Sequence, residues 1–153
     1  RYAWALLRDG DAADDLVQDC LERALARWRL PRRDGNLRAW LFTIQRNLFL
    51  SGLRRGRRRG PDVDIDSLAA VPSAEASQDS ELMRRDVLAE LDALSEEQRS
   101  VLLLVAVEDF SYAETARILG VPLGTVMSRL SRARAAMRRR LDSGSGAVLR
   151  RVK

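Results

Sequence analysis

Residues 111–134 read SYAETARILGVPLGTVMSRLSRAR, a pattern that predicts two short helices joined by a tight turn. Ser111 is placed to accept a hydrogen bond from the backbone N–H three residues on, and Glu114 to reach back, which is typical of a capping box. Gly120 marks the end of the first helix, because glycine adopts the left-handed conformation at little cost. Pro122 suits the opening turn of the next helix. The stretch therefore predicts a helix-turn-helix.

The second helix of this motif has an apolar side and a polar, basic side. At helical spacing, Val126 and Leu130 are expected to point inward. The side chains expected to reach base edges or phosphates are Thr125, Ser128, Arg129 and Arg132. A helix of this kind lies in the major groove with its N-terminal residues against the bases, so nucleic acid is the expected partner.

The charge of the chain is unevenly distributed. The 153 residues carry a net charge of +5 and a sequence pI near 10.5, which favours a polyanionic partner. Residues 62–81 contain 6 acidic and no basic side chains, whereas the segments before and after them are basic. The chain thus has two basic blocks joined by an acidic segment.

Composition excludes several classes of function. With no histidine and one cysteine, a His/Cys metal site, a histidine-dependent triad and an internal disulfide are ruled out. Cys20 falls on an apolar helical stripe and is expected to be a buried packing residue. No apolar run is long enough to span a membrane and no signal peptide is visible. We expect a cytoplasmic protein that is not an enzyme and needs no cofactor.

Three helices are predicted before the acidic segment, over residues 2–7, from Asp11 to about Leu30, and from Leu37 to about Arg57. The second has an apolar stripe that consists of Leu16, Val17, Cys20, Leu21, Ala24, Leu25 and Trp28. The third buries a stripe that consists of Leu37, Trp40, Leu41, Ile44 and Leu48. Its opposite side places Phe42 and Phe49 where no local core is expected to cover them.

A flexible linker and a second helical block follow. Residues 62–80 show little periodicity and contain Pro72, which is typical of a linker. A helix from about Glu81 to Leu94 and a helix capped by Ser95 precede the helix-turn-helix, and a frayed tail is expected from Asp142. The predicted class is all-α, with two small domains on a tether. The predicted divisions are residues 1–60, the linker 61–80, residues 81–142 and the tail 143–153.

Taken together, the two halves resemble a group 4, or extracytoplasmic-function (ECF), sigma factor of bacterial RNA polymerase. DAADDLVQDCLERAL at 11–25 is similar to region 2.2 of the family, NLRAWLFTIQRNLFLSGLRR at 36–55 to regions 2.3 and 2.4, and residues 111–134 to region 4.2. The resemblance implies sigma domains 2 and 4, and the middle motif also looks like the general-stress branch of alphaproteobacteria.

The resemblance implies a polymerase-binding role for the helix of residues 11–25. In the family, region 2.2 docks on the β′ clamp, and domain 4 contacts the β flap. The side chains that give this helix an acidic, hydrogen-bonding face are Asp14, Asp15, Gln18, Asp19 and Glu22. A solvated surface whose N-terminal carboxylates favour the helix dipole is the alternative.

The resemblance also implies recognition of two promoter elements. For opening and reading the −10 element, it points to Arg32, Arg33, Asn36, Arg46, Asn47, Arg54 and Arg55. A buried structural role is the alternative for Asn47, and a solvated charge run is the alternative for Arg54–Arg59. For the −35 element it points to the helix-turn-helix, where Met127 replaces a residue that is often basic in the family and shifts the expected readout toward shape or methyl contacts.

Three rival functions remain open at this stage besides a promoter-specificity subunit. A sigma-like decoy that binds an anti-sigma factor need not keep the basic recognition helix, and an ordinary helix-turn-helix regulator leaves residues 11–55 unexplained. An enzyme is disfavoured because Asp14, Asp15 and Asp19 have no catalytic setting. The expected partners are core RNA polymerase, promoter DNA and an anti-sigma factor, the last suggested by Phe42 and Phe49. No membrane insertion is expected.

Overall fold

The computed structural model describes the backbone of residues 1–28, 35–59 and 78–150, and the side chains of residues 1–28, 35–56 and 85–139. Within these ranges every regular element is a helix. The helices are α1 (Tyr2–Leu7), α2 (Gly10–Ala26), α3 (Leu37–Arg59), α4 (Gln78–Asp92), α5 (Glu96–Ala106), α6 (Tyr112–Leu119) and α7 (Leu123–Arg150). The predicted all-α class is confirmed. The predicted linker lies mostly outside the described residues.

The start and end of α2 differ from the prediction. Asp9, not Asp11, caps this helix: its backbone is extended, and its carboxylate accepts a hydrogen bond from the N–H of Ala12 at 3.0 Å. Asp11 lies in the first turn, where a carboxylate favours the positive end of the helix dipole. The helix ends at Ala26, earlier than the predicted Leu30, and residues 29–34 lie outside the described part of the chain.

In the second half, helix α4 begins earlier than predicted and helix α7 ends later. Helix α4 begins at Gln78, so it includes the last residues assigned to the linker, and it ends at Asp92. Helix α7 continues through Arg150, and the prediction of a frayed tail from Asp142 is therefore wrong up to that residue. Alanine, leucine and arginine favour helix here, and the two glycines of this segment do not interrupt it.

Some residues of the apolar stripe predicted for α2 are buried and the others are exposed. Its members on the core side, Leu16, Cys20 and Ala24, are buried against α3, and Cys20 donates a hydrogen bond from Sγ to the Leu41 carbonyl at 3.4 Å. Burial raises the pKa of the Cys20 thiol. The prediction that Cys20 is a packing residue is therefore confirmed. The remaining members, Val17, Leu21, Leu25 and Trp28, are exposed, which corrects the predicted stripe.

The two halves of the chain are packed against each other rather than separated. Helix α1 contacts α5, and α3 contacts α6. The ring of Phe42 lies 5.2 Å from that of Tyr2 and 5.0 Å from that of Phe110, in an edge-on arrangement with the latter. Phe49 is buried as well. The expectation that Phe42 and Phe49 lack a core is thus wrong, because the second half supplies part of it.

Charged groups also join the halves. The guanidinium of Arg38 lies 3.1 Å from Oε2 of Glu108 and donates to the Glu108 carbonyl as well, and Arg1 lies 3.6 Å from the same carboxylate. Arg46 lies 3.6 Å from Glu96. Each cation belongs to the first half and each carboxylate to the second, so the contact is electrostatically complementary.

We expect the free energy of unfolding to fall at high pH, because Tyr2 in this contact region then ionises. Burial raises the pKa of Tyr2 to about 12 from 10.0, because a phenolate is poorly solvated there. A tyrosine whose pKa is raised on folding adds stability that is complete below its unfolded pKa and is lost as the pH rises through its folded pKa. Unfolding by urea at pH 10 and pH 12 measures this loss, which is at most ~2.7 kcal/mol for two pKa units.

The matched control for this experiment is Tyr2→Phe, which keeps the ring and removes the ionisable hydroxyl. The variant is expected to lose clearly less stability than the wild type over the same pH interval. An equal alkaline loss in both proteins would show that Tyr2 does not ionise at the expense of the fold.

Candidate nucleic-acid interface

The helix-turn-helix has the local geometry that its sequence predicts. Ser111 accepts from the N–H of Glu114 at 3.2 Å, and the Glu114 carboxylate accepts from the N–H of Ser111 at 2.9 Å, which completes the capping box. The Ser111 hydroxyl also donates to the Glu114 carboxylate at 2.7 Å, and this bond, together with the one from the Ser111 N–H, lowers the pKa of Glu114. Gly120 ends α6 with φ 65°, as expected, and Pro122 lies immediately before α7. The Ser111 N-cap contributes about 1 kcal/mol.

The recognition helix is anchored by its apolar side. Val126 and Leu130 are buried, as predicted, and Ala133 continues the same buried side. Thr115 of α6 is fully buried as well, whereas Ala113 of the same helix is exposed. This packing holds the N-terminal half of α7 rigidly at the surface, as a groove-reading helix requires.

The side chains predicted to meet the −35 element differ in exposure. Arg132 is exposed, whereas Thr125, Ser128 and Arg129 are half-buried. The Ser128 hydroxyl donates to the Thr125 carbonyl at 3.1 Å, and Arg129 helps to lower the pKa of Glu97, behind local hydrogen bonds that have larger effects. Of the two arginines predicted to meet the −35 element, Arg132 is therefore the more exposed.

A second side of α7 carries exposed apolar groups. Met127 is 53 % exposed, and with Tyr112 it lines a shallow concavity that also includes Ser131, Arg134 and Arg138. Leu123, one turn before Met127, is exposed too. Tyr112 and Leu123 were missed because both fit the apolar pattern of a core residue. The result is an apolar patch bordered by cations at the start of the recognition helix.

Two of the residues predicted to meet the −10 element are engaged within the protein. Asn36 caps α3, since its Oδ1 accepts from the N–H of Ala39 at 3.0 Å, and its Nδ2 donates to Oε1 of Glu114 at 2.7 Å. Arg46 is only 7 % exposed and pairs with Glu96. Contact of these two side chains with DNA requires the second half to move away.

The other predicted −10 residues are exposed or lie outside the described part of the chain. Asn47 is exposed, so its alternative role as a buried structural asparagine is wrong. Arg54 and Arg55 are exposed near the end of α3. Arg32 and Arg33 lie outside the described residues. Trp40 is half-buried, in line with its expected place on the core side.

The acidic face predicted on α2 is present as an exposed surface. All five of its side chains are exposed, namely Asp14, Asp15, Gln18, Asp19 and Glu22, and Nε2 of Gln18 donates to Glu22 at 3.4 Å. The apolar side chains Val17, Leu21 and Leu25 border this face on the same helix. The surface is therefore mixed: apolar in one strip and acidic beside it, as in many protein–protein contacts.

Among the described residues, no group of His, Cys, Asp and Glu side chains is arranged to hold a metal ion. In the same part of the chain, no helix has the length and apolar character that crossing a membrane requires.

Both halves of the chain match models of known protein families. A family model described as Sigma-70, region 4 matches residues 84–137, and a model described as the Sigma2 domain of PhyR matches residues 1–45. The ECF RNA polymerase sigma factor EcfG of Rhodopseudomonas palustris (strain TIE-1) is 43 % identical over 136 residues, which cover 89 % of this chain and 75 % of that protein.

Solved structures show the same likeness over most of the chain. The sigma factor RpoE in complex with the anti-sigma factor NepR, from Bartonella quintana, matches with a TM-score of 0.79 and 40 % identity, covering 92 % of this chain and 88 % of that one. CnrH in complex with the cytosolic domain of CnrY matches with a TM-score of 0.65 and 28 % identity, covering 93 % and 80 %. The helix-turn-helix, the first-half helices and these matches agree, and the chain belongs to the ECF RNA polymerase sigma factors.

Proposed function

We propose that this chain binds core RNA polymerase in the cytoplasm and directs initiation at promoters with a −10 and a −35 element. The observation that carries the proposal is the presence, in one chain, of an exposed recognition helix with Arg132 and of an exposed basic end of α3 with Arg54 and Arg55. A two-element promoter needs two such surfaces. Transcription reconstituted with core polymerase tests it directly.

The polymerase-binding surface that we propose is wider than the acidic face of α2. Leu21 and Leu25 are 52 % and 72 % exposed and lie beside Gln18 and Glu22. Leucine side chains exposed to water are unfavourable, so their burial against a partner stabilises the complex. The carboxylates then select a basic partner surface and set its orientation. The apolar strip supplies affinity, and the acidic face supplies specificity.

The −35 reading that we propose combines Arg132 with the apolar patch at Met127. A guanidinium suits guanine in the major groove, while an exposed thioether suits the C5-methyl group of thymine. Arg134 and Arg138 border the patch on the same helix and suit the phosphates on either side. The proposed readout therefore includes at least one thymine that no charged side chain contacts.

Replacement of thymine by uracil in the −35 element tests the methyl contact. We expect holoenzyme affinity to fall about three- to fourfold when the contacted methyl group is removed, since one buried methyl group is worth roughly 0.8 kcal/mol. The Met127→Ala variant should be insensitive to the same replacement, whereas Leu123→Ala should remain sensitive. Competition binding to a promoter obtained from the reconstituted reaction measures both. Equal sensitivity of Met127→Ala and the wild type would contradict the assignment.

We also propose control by an anti-sigma factor and a place in the general stress response. The likeness to an RpoE that was solved with its anti-sigma factor supports the first, and the resemblance of residues 36–49 to the general-stress branch supports the second. The two phenylalanines that suggested an anti-sigma factor do not support it, because Phe42 is partly buried against the core and Phe49 is buried.

A sigma-like decoy is the second candidate function. The match of residues 1–45 to a Sigma2 domain of PhyR is the observation in its favour. Against it stand the exposed cations at the end of α3 and on α7, which a decoy that never meets DNA has no need to keep. Specific transcripts from reconstituted polymerase separate the two candidates.

A further inference from the structure

The shallow concavity beside Met127 has a weakly polar end and a cationic end. Met127, Tyr112 and Ser131 line the first end, whereas Arg134 and Arg138 lie further along α7. Met127 is in the second turn of the helix, and Ser131 follows it four positions later on the same side. In a groove-reading helix, residues near the N-terminus meet base edges, and later cations suit phosphates. The end with Met127 is therefore the part of the concavity that faces the bases.

The edges of thymine and cytosine differ in two groups in the major groove. Thymine presents the O4 acceptor and the C5-methyl group, whereas cytosine presents the N4 amino donor and no methyl group. Methylation of cytosine at C5 adds the methyl group of thymine and leaves the N4 donor unchanged. A side chain that reads only the methyl group therefore treats thymine and 5-methylcytosine alike, whereas one that donates to O4 disfavours both forms of cytosine.

Met127 and Ser131 have the chemistry of a surface that reads the methyl group alone. The thioether of Met127 has no hydrogen-bond donor, and its sulfur is only a weak acceptor, so it opposes neither O4 nor the N4 amino group. Ser131 is exposed, and its hydroxyl both donates and accepts, so it suits either group. A guanidinium in the place of Met127 would have donors only and would favour O4.

We propose that Met127 recognises C5-methylpyrimidines as a class, so that this protein also binds −35 elements that carry 5-methylcytosine at the contacted position. The inference rests on the thymine contact proposed for Met127 above and extends it to a modified base. Methylation of cytosine at this position raises the affinity of the holoenzyme for the promoter. Initiation there then depends on the methylation state of the DNA.

Four versions of one promoter test the inference. They carry T:A, U:A, 5-methylcytosine:G or C:G at the −35 position where the exchange of thymine for uracil lowers holoenzyme affinity. In competition binding, the wild type is expected to prefer thymine over uracil and 5-methylcytosine over cytosine by about three- to fourfold each, because the same methyl group is buried. Methylated and unmethylated bases are compared within the same pairing, since the change from T:A to C:G alters affinity by itself.

Met127→Ala is expected to abolish both methyl preferences, and circular dichroism checks that the variant is folded. Leu123→Ala is the matched control, because it also truncates an exposed apolar side chain near the start of α7, and it is expected to keep both preferences. A promoter with 5-methylcytosine in the spacer between the two elements is the control on the DNA side. It is expected to bind no more tightly than its unmethylated form.

The contrary results separate the inference from the proposed thymine contact. A preference for thymine over uracil without one for 5-methylcytosine over cytosine would overturn the inference and leave the thymine contact intact. Loss of measurable binding to both cytosine promoters would overturn it as well, since hydrogen bonds would then decide this base pair. Methyl preferences that survive in Met127→Ala would assign the reading to another side chain. If no −35 position distinguishes thymine from uracil, the proposed contact fails and the inference fails with it.

Discussion

Truncation of Leu21 and Leu25 to alanine is expected to lower affinity for core RNA polymerase by about 30- to 900-fold and to leave the fold intact. Both side chains are more than half exposed on α2, so their removal creates no cavity, and alanine favours a helix. In an interface, two central apolar side chains each contribute about 1–2 kcal/mol. Equilibrium binding to purified core enzyme, with circular dichroism as the fold check, measures the effect.

The matched control for the leucine pair is Val107→Ala in the second half. Val107 is also apolar and 42 % exposed, but it lies at the end of α5, away from the proposed polymerase surface. Its truncation should leave polymerase affinity within about twofold of the wild type. If the leucine pair and the control behave alike, the apolar strip of α2 is not part of the polymerase contact.

Arg132→Ala and Arg138→Ala are expected to separate base reading from phosphate binding on α7. Arg132→Ala should cost about 1–3 kcal/mol on a preferred −35 element, a loss of roughly 5- to 150-fold, and should relax the preference at one base pair. Arg138→Ala should weaken binding to all sequences about equally and reduce the salt dependence by about one phosphate contact. Both side chains are exposed, so the fold is unaffected.

The measurement is a selection of −35 variants by reconstituted holoenzyme, combined with a salt titration on the best sequence. Each variant serves as the control for the other, because both remove one exposed arginine from the same helix. A uniform loss over all sequences with Arg132→Ala would assign that residue to the backbone of the DNA. A change of base preference with Arg138→Ala would place the reading surface further along the helix than proposed.

Features that depend on neighbours in sequence were predictable. The capping box of Ser111 and Glu114 and the left-handed Gly120 follow from rules that act over three or four residues, and all are present. The inward direction of Val126 and Leu130 follows from helical periodicity, which also holds over a few residues. The family could be recognised because three such motifs occur in order along the chain.

Features that depend on distant parts of the chain were not predictable in the same way. Periodicity marks Leu16 and Leu21 alike as apolar, but only the position of α3 decides that the first is buried and the second exposed. Phe42 was expected to be uncovered because its partner, Phe110, comes much later in the sequence. A single sequence shows which side chains are apolar but not which element covers them.

In the candidate site too, exposure on a single helix was predictable, whereas contacts between distant residues were not. Asp14 and its acidic neighbours were placed correctly on the surface, since one face of one helix decides their exposure. The engagement of Asn36 by Glu114 was not foreseen, because it joins side chains 78 residues apart. It also alters the expected mechanism, since part of the proposed DNA surface must first be released.

Reconstituted transcription on a genomic promoter library tests the central claim most directly. With this protein, core RNA polymerase is expected to produce a defined set of transcripts whose start sites share one −10 and one −35 element, and core polymerase alone is expected to produce none of them. A folded protein that binds core polymerase yet yields no specific transcripts would contradict the account.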